Sequence, residues 1–445
     1  MLRTAASGGL VPRVYAADLS SHVGRRVRLN GWLTSSKKTK TTKFLLVRDR
    51  TGVVQGVCQG PEWDDLVPLS NESALEITGR VRESRPNNGC VEIAIDAVRV
   101  LARSESDLPV GWSADRELRL DYRFLDLRSR RGYLTFAVQT TFESTLRGLL
   151  LERGFVEIHS PKISSGGSES GAAVFSLPYF GESACLVQSP QFYMQLAAAA
   201  GFDKIFEVGP AFRAEAATTD RHAAEFTSVD VEMSWIESAD ELMELEEELL
   251  WHTLQAVKDV YEREIRELFG VEVDVPKLPI PRVSVSEALR IANLPAGDTV
   301  ARLTHRAEQV LSRYAWDTLG SSFVFLTNFP ASARPFYTMV DESLEAGHDR
   351  PTRSFDLLWR GIEITSGCQR EHRFERLREQ ASVANMDTAT MAKYLDKYYF
   401  PMFCHGCPPH GGFGIGLNRV LLALLGRRSI QETSFVFRGP ERLVP

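Results

Sequence analysis

Between Lys204 and Ile236 the chain reads KIFEVGPAFRAEAATTDRHAAEFTSVDVEMSWI. Two strand-like runs flank a polar loop that holds Thr218, Thr219, Asp220, Arg221 and His222. Few folds can take up such a pair except as neighbours in one sheet. FVEIHSPKI before it and FDLLWRGIEITSG after it add further strands. Helical patterns lie between them. LTFAVQTTFESTLRGLLLERG is amphipathic and stops at Gly154, and DELMELEEELLWHTLQAVKDVYEREI is a long acidic helix with an apolar stripe. GFGIGLNRVLLALLG reads as a glycine-rich turn entering an apolar helix. Neighbouring strands with helices outside them predict an α+β domain around an antiparallel sheet.

The first hundred residues follow another pattern. VRLNGWL and KFLLVRD flank the basic loop TSSKKTKTT, and GVVQGVC, ALEITGRV and VEIAIDAVRVL follow. About five short strands in about 100 residues predict a small closed barrel, of which the OB-fold is the common nucleic-acid-binding form. The chain has 445 residues, enough for two or more domains. The expected division is a leader without fixed structure over 1–20, a barrel over 21–105, a charged hinge over 106–130 and an α+β domain over 131–445. Net charge is −6, yet nine Lys or Arg stand between Arg25 and Arg50 against Asp49 alone, so a polyanion has one place to bind. No apolar run approaches a membrane span, which predicts no membrane partner. Six cysteines suit a reducing compartment, and the Cys404–Cys407 pair lacks the further ligands of a zinc site.

Chemistry-bearing residues cluster in three places. Arg213 and Glu215 alternate on the first strand of the opening pair and project from one face. Glu225, Asp230 and Glu232 lie on or near the second. Arginines and a histidine converging with carboxylates suit a triphosphate, a metal and an amine substrate. Gly411, Gly412, Gly414 and Gly416 precede a helix carrying Arg419; such glycines let a flat ring approach the backbone. In QSPQFYMQLAAAAG, Ser189 is the expected N-cap, and Gln191, Met194 and Gln195 share a face of the helix that follows.

These segments resemble the three signature motifs of class II aminoacyl-tRNA synthetases: a helix and a strand ending in Pro161, an Arg-x-Glu strand with an Arg-His loop, and Gly-x-Gly-x-x-Arg at a helix start. LRLDYRFLDLR, QSPQFY, FDLLWRGIEITSGCQREH, PPHGGFGIGLNR and RGPERLVP are similar to the aspartyl/asparaginyl subgroup, nearest to aspartyl-tRNA synthetases of the archaeal and eukaryotic type. The resemblance runs from about residue 20 to the end. It implies an OB-fold anticodon-binding barrel followed by a class II catalytic domain, a homodimer formed through the segment ending at Pro161, and a cytoplasmic enzyme. It also implies ATP, Mg²⁺, an amino acid and a tRNA of the aspartate or asparagine type as cofactors and partners.

By that resemblance Arg213 holds the α-phosphate, and Arg221, His222 and Arg419 grip the β/γ end. Phe226 and Arg419 sandwich adenine, Glu215 lies near adenine or the tRNA end, and Glu363 with Ser366 binds Mg²⁺. Glu169 closes over the substrate ammonium, which Asp230 also binds, while Ser189 and Gln191 line the pocket floor. Arg370 clamps the side-chain carboxylate. Lys37 meets phosphates, and Phe44 and Gln55 read the anticodon. At one position the chain departs from the aspartyl pattern: Met194 replaces a second cation on the substrate carboxylate. The expected activity is aspartate activation and transfer to tRNA, with selection relaxed by Met194. The alternatives are the same chemistry on asparagine or another neutral analogue, a tRNA-independent ligase, or a non-catalytic RNA-binding relative.

Overall fold

The computed structural model describes residues 11–66, 69–84, 90–106, 108–109, 114–167, 173–293, 305–344, 349–383 and 394–444. The chain divides into two compact units, 1–133 and 134–445.

In the first unit, β1 (Arg26–Lys38), β2 (Thr42–Arg48), β3 (Val53–Gln59), β4 (Ala74–Glu83) and β5 (Val91–Ala102) close a barrel in the order β1-β2-β3-β5-β4. Alternate residues point inward: Val27, Leu29, Leu45, Val47, Ile77 and Ile93 are fully buried in one cluster. The basic TSSKKTKTT segment is shorter as a loop than its composition suggests. β1 continues through Lys38, pairing Lys37 with Phe44 and Lys38 with Lys43, after a register shift between Leu33 and Ser35. Polar residues continue a strand here because the partner's backbone satisfies theirs. The expected leader is also only partly separate. Val14 N–H donates to Arg28 O at 2.9 Å, Arg28 N–H donates to Pro12 O at 3.0 Å, and Leu19 is buried in the barrel core. The segment expected as a hinge carries two short helices, α1 (Arg116–Asp121) and α2 (Arg123–Leu127), with Asp115 capping α1 through the Leu118 N–H.

The second unit is built on an eight-stranded sheet. Its strands are β6 (Val156–Glu157), β10 (Lys204–Phe212), β11 (Glu225–Ser234), β12 (Arg282–Ser284), β13 (Phe323–Thr327), β14 (Ser354–Trp359), β15 (Ile362–Gln369) and β16 (His410–Gly416). They lie in the order β12-β13-β14-β15-β16-β11-β10-β6, antiparallel except for the parallel pairs at the two ends. A separate small sheet joins β7 (Ile163–Ser164), β9 (Glu182–Leu186) and β8 (Ser176–Tyr179). Helix α3 (Arg130–Glu152) buries Leu134, Val138, Phe142, Leu146 and Leu150, one residue per turn, in the main core. The chain then turns at Gly154, whose φ of +80° favours glycine. Among its other helices are α4 (Gln191–Ala199), the long α5 (Asp240–Phe269) and the helix Leu417–Leu424 that carries Arg419.

Two expectations are corrected by the sheet. The glycines of HGGFGIG form a central strand, β16, rather than a turn. A Cβ on Gly412 would lie 2.0 Å from Val231 O and 2.2 Å from Glu232 Oε2, and one on Gly414 would lie 2.9 Å from Asp230 Oδ1. The glycines thus make room for carboxylates on β11. Strand β10 ends at Phe212, so Arg213 and Glu215 lie just beyond it instead of alternating along it.

Candidate functional site

A single cleft is lined from β11, β15 and β16, from the loop between β10 and β11, and from the start of α4. Among the residues expected at a site, it gathers Ser189, Gln191, Arg213, Glu215, Arg221, His222, Phe226, Asp230, Glu363, Ser366, Arg370 and Arg419. Strand alternation explains part of this: Phe226 and Asp230 stand an even number of residues apart on β11, while Val229 and Val231 face the core. Glu363 and Ser366 are three apart and would face opposite ways on a regular strand. Leu357 pairs with Thr365 and Leu358 with Glu363, so Ile364 is an extra residue in β15 that returns Ser366 to the cleft.

One end of the cleft is rich in cations. The Arg213 guanidinium lies 5.4 Å from the Phe226 ring centroid, and its Nε is buried without a partner. Arg419 donates to Glu363 Oε1 at 3.1 Å and to Glu363 O at 3.0 Å, and the guanidinium beside Phe226 is that of Arg213. Arg221 is tied to Glu308 and donates to Gly361 O at 2.7 Å. Burial, with Arg419 beside it, holds the His222 imidazole below its ordinary pKa, so the ring is neutral at pH 7. Burial works against ionised Glu363, but Arg419, Arg334 and Arg213 more than offset it and keep its carboxyl low.

The other end is a buried polar network. Arg370 donates from Nε to Glu232 Oε1 at 3.1 Å, and from Nη2 to Glu232 Oε2 at 3.0 Å and to Gln191 Oε1 at 2.8 Å. Its Nη1 donates to Cys368 Sγ at 2.7 Å, and the guanidinium lies 5.5 Å from the Tyr337 centroid. Gln191 Nε2 returns a bond to Glu232 at 3.3 Å. Arg370 and Glu232 are 6% and 1% exposed, so the pair is desolvated and bidentate.

Met194 does not reach this network. It is 1% exposed and packs with Ala197, Ile205 and Ile158. Its neighbour Gln195 is fully buried and accepts from the Tyr399 hydroxyl. The shared face of α4 therefore divides: Gln191 looks into the cleft, and the next turn enters the core. Pro190, not Ser189, is the N-cap, while Ser189 Oγ accepts from Gln191 N–H at 3.4 Å. Glu169 lies outside the described residues. In the barrel unit, Lys37 pairs with Phe44 and Gln55 with Leu46, which puts Phe44 and Gln55 on one outer face; Gln55 donates to Glu92 at 2.9 Å.

Sequence reasoning gave no role to Glu232, Asp356 or Arg334. Asp356 pairs across from Ser366, and Arg334 donates to Ser366 Oγ at 3.0 Å. A lone acid inside FDLLW was the one signal for Asp356, and the even spacing from Asp230 the signal for Glu232. Among the described residues, no group of three or more His, Cys, Asp or Glu is arranged to hold a metal. Cys407 is buried, with its thiol pushed up to about 12 by burial, and its Sγ is 3.8 Å from His410 Nδ1. A thiol raised this way is poorly ionised at neutral pH. No helix among the described residues is long and apolar enough to cross a membrane.

Residues 115–437 match the family of tRNA synthetases class II (D, K and N), and residues 27–101 match the OB-fold nucleic acid binding domain. The aspartate–tRNA(Asp/Asn) ligase of Thermus thermophilus is 38% identical over 97% of this chain and 100% of its own length. That of Aeropyrum pernix is 37% identical over 96% of this chain and 98% of its own. The crystal structure of asparaginyl-tRNA synthetase from Pyrococcus horikoshii, complexed with asparaginyl-adenylate, superposes with a TM-score of 0.88 at 29% identity, covering 98% of this chain and 100% of that one.

Proposed function

Because the chain belongs to the class II tRNA synthetases of the D, K and N group, we propose that it is an ATP-dependent ligase that joins aspartate to tRNA. The observation that carries this is one cleft holding cations for a triphosphate at one end and a buried arginine for a side chain at the other. The amino-acid carboxylate attacks the α-phosphorus of ATP, the bond to the β-phosphate oxygen breaks, and pyrophosphate leaves. A ribose hydroxyl of the terminal adenosine then attacks the aspartyl carbonyl, and AMP leaves.

Both steps depend on placement and charge neutralisation. Arg213 meets the α-phosphate, Arg221, His222 and Arg419 the β/γ end, and Phe226 the adenine, with Glu215 near the adenine or the tRNA end. Glu363, Ser366 and Asp356 offer hard oxygens, and Asp356 Oδ1 is buried without a hydrogen-bond partner, so the donor set fits Mg²⁺. When bound there, the ion neutralises phosphate charge. Asp230, with Glu169, holds the ammonium group, and Ser189 and Gln191 line the pocket floor. Arg370 holds the side chain. Lys37, Phe44 and Gln55 contact the anticodon of a tRNA of the aspartate or asparagine type. A homodimer is supported by exposed apolar residues around the segment that ends at Pro161: Val156, Ile163, Tyr179 and Phe180. Six free thiols among the described residues support a cytoplasmic setting.

One observation favours asparagine as a second reading. Arg370 already faces Glu232, so the side-chain end of the cleft has no net charge to offer a carboxylate. A carboxamide can donate to Glu232 and accept from Arg370. ATP–pyrophosphate exchange with each amino acid, followed by charging of total tRNA, separates the readings. Exchange with aspartate supports the first, exchange with asparagine alone the second, and none overturns both. Arg213→Ala abolishes exchange while tRNA still binds.

A further inference from the structure

Among the described residues, Arg334 is the one cation lining the cleft to which the reaction above gives no work. It follows a short turn, Ala331–Ala333, that is pinned by Ala331 N–H donating to Arg350 O at 2.8 Å and by a bridge between Pro330 and Pro351. The backbone is fixed, so what can move is the side chain. Its guanidinium carbon lies 3.6 Å from the centroid of the Phe329 ring, and the side chain is 11% exposed.

The contacts of this guanidinium are unusual for a buried arginine. Nη1 donates to Ser366 Oγ at 3.0 Å. Nη2 lies 2.8 Å from Asp356 Oδ1, yet neither atom makes an aligned hydrogen bond, and Nε has no partner. A guanidinium placed to recognise a carboxylate presents two parallel N–H groups to it. This one is oriented by Phe329 and Ser366 and only touches Asp356 by charge. Asp356 and Ser366 stand opposite each other in the β14–β15 ladder, and Glu363 is across the bulge. Arg334 thus lies against both Asp356 and Ser366, with Glu363 on the same strand as Ser366.

We propose that Arg334 is a tethered cation that fills the divalent-metal position in the nucleotide-free enzyme and is displaced from Asp356 and Ser366 when the metal arrives. The inference rests on the reading of this cleft as a site for metal and triphosphate. The arrangement has two consequences. Without nucleotide, Arg334 offsets the charge of Asp356, as Arg419 offsets that of Glu363. A bare ion must evict Arg334 for two carboxylates and a hydroxyl, whereas an ion arriving on ATP brings phosphate ligands of its own and new anions for the released guanidinium. Metal and nucleotide therefore enter together.

The test is Mn²⁺ binding to the full-length protein, followed by electron paramagnetic resonance with and without ATP. Without ATP, Arg334→Met is expected to raise Mn²⁺ affinity on the order of tenfold over wild type. Arg334→Lys keeps the charge and is expected to stay near wild type. Adding Asp356→Asn to Arg334→Met removes the gain. In thermal unfolding, Mg²⁺ alone is expected to raise the Tm of Arg334→Met more than that of wild type, which shows that the variant is folded and loaded. If the nucleotide-free affinity of Arg334→Met equals wild type while both bind Mn²⁺ with ATP, the displacement is wrong and the metal site stands. If wild type binds no Mn²⁺ even with ATP, the metal site and the displacement fall together.

Discussion

Met194 and Glu232 show how charge is distributed among single residues of the cleft. Met194 sits in an apolar cluster with Ala197 and Ile205, so a lysine there is buried among carbons rather than delivered to substrate. Met194→Lys is expected to lower stability by roughly 2–5 kcal/mol, read in denaturant unfolding, while Met194→Leu stays within about 1.5 kcal/mol. Glu232 faces Arg370 from both of its oxygens, and its replacement tests whether that pairing bears on amino-acid choice. Glu232→Gln frees the guanidinium charge for an incoming carboxylate. The ratio of aspartate to asparagine in pyrophosphate exchange is expected to rise on the order of tenfold. An unchanged ratio would show that Arg370 does not sense the side-chain charge.

Helix α5 carries the clearest conflict between an element and its surroundings. Its acidic composition reads as a solvated face, yet Glu246 is fully buried, and both of its oxygens lack aligned partners. Burial pushes its carboxyl up to about 8 from an ordinary 4.5, with the Thr365 hydroxyl working the other way. The folded protein therefore keeps a proton that the unfolded chain gives up near 4.5. Its contribution to stability is fully present below that value and is lost as pH rises toward about 8. Glu246→Gln removes this slope. Its Tm is expected to exceed that of wild type at pH 8 and to approach it near pH 4.5, measured by thermal unfolding across that range. Thr365, which the Glu246 carboxyl meets, precedes Ser366 of the cleft, so the buried acid lies under the strand that carries Glu363 and Ser366.

At the scale of the molecule the work is divided between two units that fold on separate cores. Among the described residues, the cleft is lined from the second unit, and the barrel's outer face presents Lys37, Phe44 and Gln55. Phe44→Ala is expected to leave pyrophosphate exchange unchanged and to raise the KM for tRNA in charging on the order of tenfold, the cost of one lost base stack. Loss of exchange in that variant would contradict the separation.

The sequence by itself determined most of the element types, though not strand β16 or the two helices of the expected hinge, and much of the cleft. Period-2 runs mark the strands, one apolar residue per turn marks α3, and Arg213, Arg370 and Arg419 are named by the resemblance of their motifs to those of the family. What only the tertiary structure decided is which charges meet. Glu232 neutralises Arg370 across two strands distant in sequence, Arg334 reaches Asp356 from a separate loop, and an extra residue in β15 turns Ser366 into the cleft. Met194 goes to the core because the helix packs before its second turn reaches the cleft. Periodicity is a local property of the chain and survives in the sequence. The pairing of buried charges depends on register and packing between segments, and no local pattern encodes it.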